Sequence, residues 1–177
     1  MPSHTATARI HEGYVIANRD DPRAGGAAIR EGLADLAATE TVSNFGYNRA
    51  LLAETYQMQG NSDEALGILT EALSHTEQTG ERWCEAELIR RVGQTHRLKG
   101  NRDAAESYFA QAIDIARRQS AKLFELRAAV SLARLWSEQG KRAEARELLA
   151  PIYAWFTEGF DTSDLKQARA LLAELGK

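Results

Sequence analysis

Three stretches decide the fold: QMQGNSDEALGILTEAL at 57–73, RLKGNRDAAESYFAQAI at 97–113 and SEQGKRAEARELLAPI at 137–152. Laid on one another, they put Gly60, Gly100 and Gly140 forty residues apart. Five residues after each glycine stands Ala65, Ala105 or Ala145, and four further on Leu69, Phe109 or Leu149. Upstream, Leu52-Ala53, Val92-Gly93 and Leu132-Ala133 share one offset, and Tyr56, His96 and Trp136 share another. Large and small apolar residues at spacings of three, four and seven mark amphipathic helices. A repeat of this length is one helix pair that buries its apolar face only by stacking on the next.

Working outward, Asp20 lies forty residues before Gly60, and the pattern there is degraded. Gly13 takes the small slot and Ile16 the bulky one. Gly25 replaces the alanine, and Ile29, Gly32 and Leu33 follow. The expected helices run about 5–18, 22–38, 42–59, 62–79, 82–99, 102–119, 121–139, 142–157 and 162–175. Each turn glycine suits a left-handed position past a helix end. Asn61 and Asn101 are the expected N-caps of the helices that follow, with Asp21-Pro22 in the same role earlier and Lys141 as a departure. Pro151 should kink the eighth helix. The whole reads as one domain, 1–177, with repeats at about 5–40, 41–80, 81–120 and 121–158 and a capping helix at about 162–175. The expected fold class is all-α, a right-handed α-α superhelix or solenoid of four helix pairs plus the cap.

Composition narrows the function. The 177 residues carry 22 Lys and Arg against 25 Asp and Glu, a net charge of −3. A slightly acidic chain is a poor general nucleic-acid binder, so no nucleic-acid partner is expected. The single cysteine, Cys84, cannot form an internal disulfide, which fits a reducing cytoplasm. No apolar run is long enough for a membrane span. The start, MPSHTATARI, does not read as a secretory signal.

The offsets resemble those of the tetratricopeptide repeat, in a longer variant with about one extra helical turn per pair. The matching positions are the bulky–small pair, the aromatic slot, the turn glycine, an alanine, a bulky residue and a second alanine. Ala72 and Ala112 fill the last place, where the fourth repeat has Ile152. A narrower resemblance begins at GERWCEAELIRRVG, 80–93, and continues through FELRAAVSLARLW, 124–136, and the C-terminal stretch 141–175. Its most specific part is WFTEGFDTSDLKQA at 155–168. These segments look like the C-terminal tetratricopeptide region of bacterial proteins that join a class III adenylate/guanylate cyclase domain to an ATPase module. That resemblance implies bacterial signalling. The cyclase and ATPase domains themselves are not in this chain, so none of their activities passes to its residues.

No catalytic, cofactor or metal residues are assigned. There is no GxxxxGK[ST] to cradle phosphates, no GxGxxG after a strand, and no HExxH among His4, His11, His75 and His96. His96 shares a slot with Tyr56 and Trp136 and reads as packing. Cys84 has no histidine near it in sequence and reads as an inert thiol. The chain is expected not to be an enzyme and to need no cofactor.

In stacked helix pairs the first helices line the concave side. On that side the expected partner-binding groove holds Tyr47 and Glu54, then Trp83, Glu87, Arg90, Gln94 and Arg97, then Arg127 and Arg134. Arg outnumbers Lys 17 to 5, and the planar guanidinium suits carboxylates. The expected function is a non-catalytic protein–protein interaction module that takes a partner peptide or helix, acidic in character. One alternative is that these arginines only pair with Glu87, Glu54, Glu125 or Glu138. A second alternative function is self-association into a homodimer, or a scaffold role, through Trp155, Phe156 and Phe160.

Overall fold

The computed structural model describes residues 2–19, 21–38 and 44–177. Asp20 and the expected start of the third helix at 42 lie outside them. The described residues form nine α-helices: α1 Pro2–Arg19, α2 Pro22–Ala38, α3 Phe45–Met58, α4 Ser62–Thr79, α5 Glu85–Leu98, α6 Arg102–Arg118, α7 Lys122–Glu138, α8 Arg142–Ala154 and α9 Ser163–Leu175. No strand occurs among them. They divide into two compact units, one up to Cys84 and one from Glu85 on.

In the first unit α1 packs on α2 and α3 on α4, with α2 and α1 also against α3. Its core is Ala6, Ile10, Ile29, Leu36, Leu51 and Leu52, with Tyr14, Leu33, Tyr47, Tyr56 and Ile68 packed around it. The degraded slots of the first repeat have a steric cause. A Cβ on Gly25 would stand 2.4 Å from the Gly13 carbonyl oxygen and 2.6 Å from the Ala17 Cβ. Glycine replaces alanine there because α1 and α2 approach more closely than an alanine allows.

In the second unit α5 packs on α6, α6 on α7, α7 on α8 and α8 on α9. First helices also meet, α5 with α7 and α7 with α9. Ala105, Phe109, Ala112, Ala145 and Leu149 are fully buried, so the slots read from the repeat are core slots.

The turns correct part of the capping scheme. Gly60, Gly100 and Gly140 have φ of 79°, 80° and 81°. Around each, two backbone bonds close the preceding helix: Asn61 N–H to Tyr56 O at 2.9 Å and Gly60 N–H to Gln57 O at 3.1 Å in the first case. The same pair recurs at Asn101 and at Lys141. Asn61 and Asn101 make no side-chain cap hydrogen bond. Their carbonyls instead accept from Ala65 and Ala105, as that of Lys141 accepts from Ala145. The backbone motif opens these helices, so Lys141 is no departure. Asp21 does cap, its Oδ1 accepting from Arg23 N–H at 3.0 Å and Ala24 N–H at 2.9 Å.

Two boundaries also move. α5 starts at Glu85, after a turn at Trp83 and Cys84. α8 ends at Ala154, and Pro151 lies inside it, in the last turn.

Candidate functional site

The expected groove residues fall in both units. In the first, Tyr47 lies in the first turn of α3 and Glu54 lies further along it, partly buried. Trp83 is not on a helix: it sits in the turn before α5 and is 43% exposed. Its ring lies 5.6 Å from that of Tyr47, and its Nε1–H donates to Glu81 Oε1 at 3.2 Å.

In the second unit, helical spacing sets the four arginines along two seams. On the seam between α5 and α7, Arg90 Nη1 reaches Ser131 Oγ at 3.3 Å, and Arg97 bonds Glu138. On the seam between α7 and α9, Arg127 holds Asp164 with two bonds, 3.0 and 2.9 Å, and Arg134 donates to the Gln167 amide oxygen at 3.3 Å. Gln94 is partly buried on α5.

Glu87 departs from the expected lining. It is 2% exposed and takes two bonds from Arg90, at 2.8 and 2.6 Å, and one from Arg91 at 3.0 Å. Burial pushes its carboxyl pKa up, but the charges of Arg90 and Arg91, with Arg127 beyond, outweigh that and bring it down to about 2. Glu87 is therefore a charged core residue that fixes two arginines, not a groove contact. The arginines pair with Glu87 and Glu138, as one reading of the sequence expected, and also with Asp164, which it did not identify. Glu125 turns to Arg117 and Lys122 instead.

The other candidates resolve simply. His96 stacks on Tyr108 with centroids 5.1 Å apart. Cys84 is buried, 1% exposed. Among the described residues, no three of His, Cys, Asp and Glu gather as a metal site, and no helix is long and apolar enough to cross a membrane. At the end of α8, Trp155 is 57% and Phe160 40% exposed. Trp155 meets Phe156 edge-on at 5.1 Å, and the Lys122 ammonium lies 5.7 Å over its ring.

Paired helices, turn motifs at forty-residue intervals and buried alanine slots give the described residues an all-α fold of tetratricopeptide-like helix pairs. Residues 47–118 match the Tetratricopeptide repeat family model. Repeats of that family generally mediate protein–protein interaction. The chain is similar to a Podosopora anserina protein assigned as a kinesin light chain with nearly identical TPR-like repeats. The two share 18% identity over 99% of this chain and 86% of that one, with a TM-score of 0.68. It is also similar to BtubC (BKLC) from P. vanneervenii, at 17% identity over 98% and 81%, TM-score 0.68. Among curated proteins, none matches. At these identities the likeness establishes the fold.

Proposed function

We propose that residues 1–177 act as one non-catalytic protein–protein interaction domain that takes an acidic peptide or helix on its first helices. The observation that carries this reading is the charge pattern of α5 and α7. Arg90 and Arg91 share the single carboxylate of Glu87, and exposed Arg134 faces a neutral amide. Such a gathering of guanidinium groups suits the carboxylates of a partner. Trp83 and Tyr47 supply anchoring aromatic surface in the first unit, with Glu54 on the same helix as Tyr47. The cytoplasmic setting rests on the single cysteine, Cys84, and bacterial signalling beside a cyclase or ATPase rests on the resemblance at 80–93, 124–136 and 141–175.

The test uses a fluorescent hexaglutamate peptide in low salt. Charge reversal at Arg90 would strand buried Glu87 and report on folding, so the informative variant is Arg134→Glu. Binding should weaken by about tenfold, with the melting temperature unchanged. Affinity that is the same in both proteins, or no binding by either, refutes the reading.

Exposed Trp155 and Phe160 favour a second reading, self-association through the end of α8. Light scattering should then give a dimer mass that falls to a monomer with Trp155→Ala. A monomeric parent protein rules this out.

A further inference from the structure

The two carboxylates that face Arg127 differ in kind. Glu87, whose charge feels Arg127, is buried and already fixed by Arg90 and Arg91. Asp164 is 26% exposed at its side chain and grips Arg127 through both oxygens at 3.0 and 2.9 Å. Two parallel bonds between one carboxylate and one guanidinium are the geometry an acidic ligand residue would adopt there. Arg127 itself is 24% exposed, so the pair stands at the surface where exchange can occur.

We infer that Asp164 is a built-in competitor: it occupies Arg127 in the absence of a partner, and an acidic ligand engages Arg127 by exchanging with it. This rests on the arginine-face reading above. Release of Asp164 costs little. It lies in the first turn of α9, whose N-cap Thr162 makes no side-chain cap bond, so the positive end of the helix continues to favour its charge. α9 need not move either. Leu165, Ala168, Leu171 and Leu175 are buried and hold it in place, so a side-chain rotation suffices.

The experiment measures the same hexaglutamate peptide against the full chain and three variants. Asp164→Asn keeps the shape and removes the competing charge, and should tighten binding by about threefold to tenfold. Asp161→Asn makes the same charge change at an exposed neighbour and should leave affinity within about twofold. In an Arg127→Gln background the gain from Asp164→Asn should vanish. A parent protein that binds, with Asp164→Asn no tighter, overturns the competitor alone. So does an equal gain from Asp161→Asn, or a gain that survives Arg127→Gln. No binding by any of the proteins overturns the arginine-face reading together with the competitor.

Discussion

Gly93 on α5 lies against the ring of Phe109 on α6: a Cβ added to Gly93 would stand 2.8 Å from both Cδ1 and Cε1. The sister repeats place Ala53 with Leu69 and Ala133 with Leu149 in these slots, all fully buried. The larger side chain on one helix goes with the smaller on its partner, so volume is conserved between them. Gly93→Ala gains helix propensity of about 1 kcal/mol but must displace a buried ring, and should destabilise by about 1–2 kcal/mol net. Phe109→Leu alone leaves a gap and should cost about 1–2 kcal/mol. The double variant, which recreates the alanine–leucine pair, should be more stable than either single one. Urea unfolding followed by circular dichroism measures all three, and additive losses would refute the packing account.

The charged core predicts acid sensitivity. Glu87 has its pKa lowered from 4.5 to about 2, so the folded state binds its proton less readily than the unfolded chain. Its contribution is present above about pH 4.5 and is lost as the pH falls towards 2. Glu125 shifts in the same direction: burial opposes the charge, but hydrogen bonds from Lys122 and Arg117 prevail. Glu87→Gln should flatten the stability profile between these pH values. At neutral pH it should cost about 3 kcal/mol, because two arginines lose their shared carboxylate. Urea midpoints measured from pH 7 down to pH 3 check both, and an unchanged slope refutes the assignment.

Helix positions and core slots were legible in the sequence because a forty-residue repetition overdetermines them. Ala105, Phe109 and Leu149 each had sister positions that fixed their burial. Glu87 was misplaced on an open face because helical spacing assigns a side but not a depth. Its burial depends on Arg90 and Arg91 neutralising it, which a period cannot show. Asp164 escaped notice because it pairs with Arg127 across 37 residues, from a helix that breaks the repeat. Trp83 was set on a helix because its spacing to Glu87 fits one. α5 begins only at Glu85, and Trp83 falls in the turn before it.

Capping chemistry separates residues that look alike in sequence. Asp21 Oδ1 accepts two backbone N–H groups at the start of α2, and Asp21→Ala should cost about 1 kcal/mol. Asn61 and Asn101 make no such bond, so Asn61→Ala and Asn101→Ala should each change stability by less than about 0.5 kcal/mol. Thermal melts of the three variants compare them directly. A loss at Asn61 equal to that at Asp21 would mean its side chain, not the backbone motif, opens α4.

Ser120 occupies the turn between α6 and α7 in the backbone state that glycine adopts at Gly60, Gly100 and Gly140. Its φ is 55°, and the same closing bonds form around it: Ala121 N–H to Ala116 O at 2.9 Å and Ser120 N–H to Arg117 O at 3.1 Å. A Cβ in the left-handed region costs about 1–2 kcal/mol, which glycine avoids while losing more unfolded-state entropy. The net gain from Ser120→Gly should be about 0.5 kcal/mol, a rise of about 1–2 °C in melting temperature for a chain of this size. The reverse change, Gly100→Ser at φ 80°, should cost about 1 kcal/mol, since nothing near that turn contacts an added Cβ and the penalty is purely conformational. Differential scanning calorimetry of both variants tests this, and a loss of stability in Ser120→Gly would show that the serine side chain makes a compensating bond in the turn.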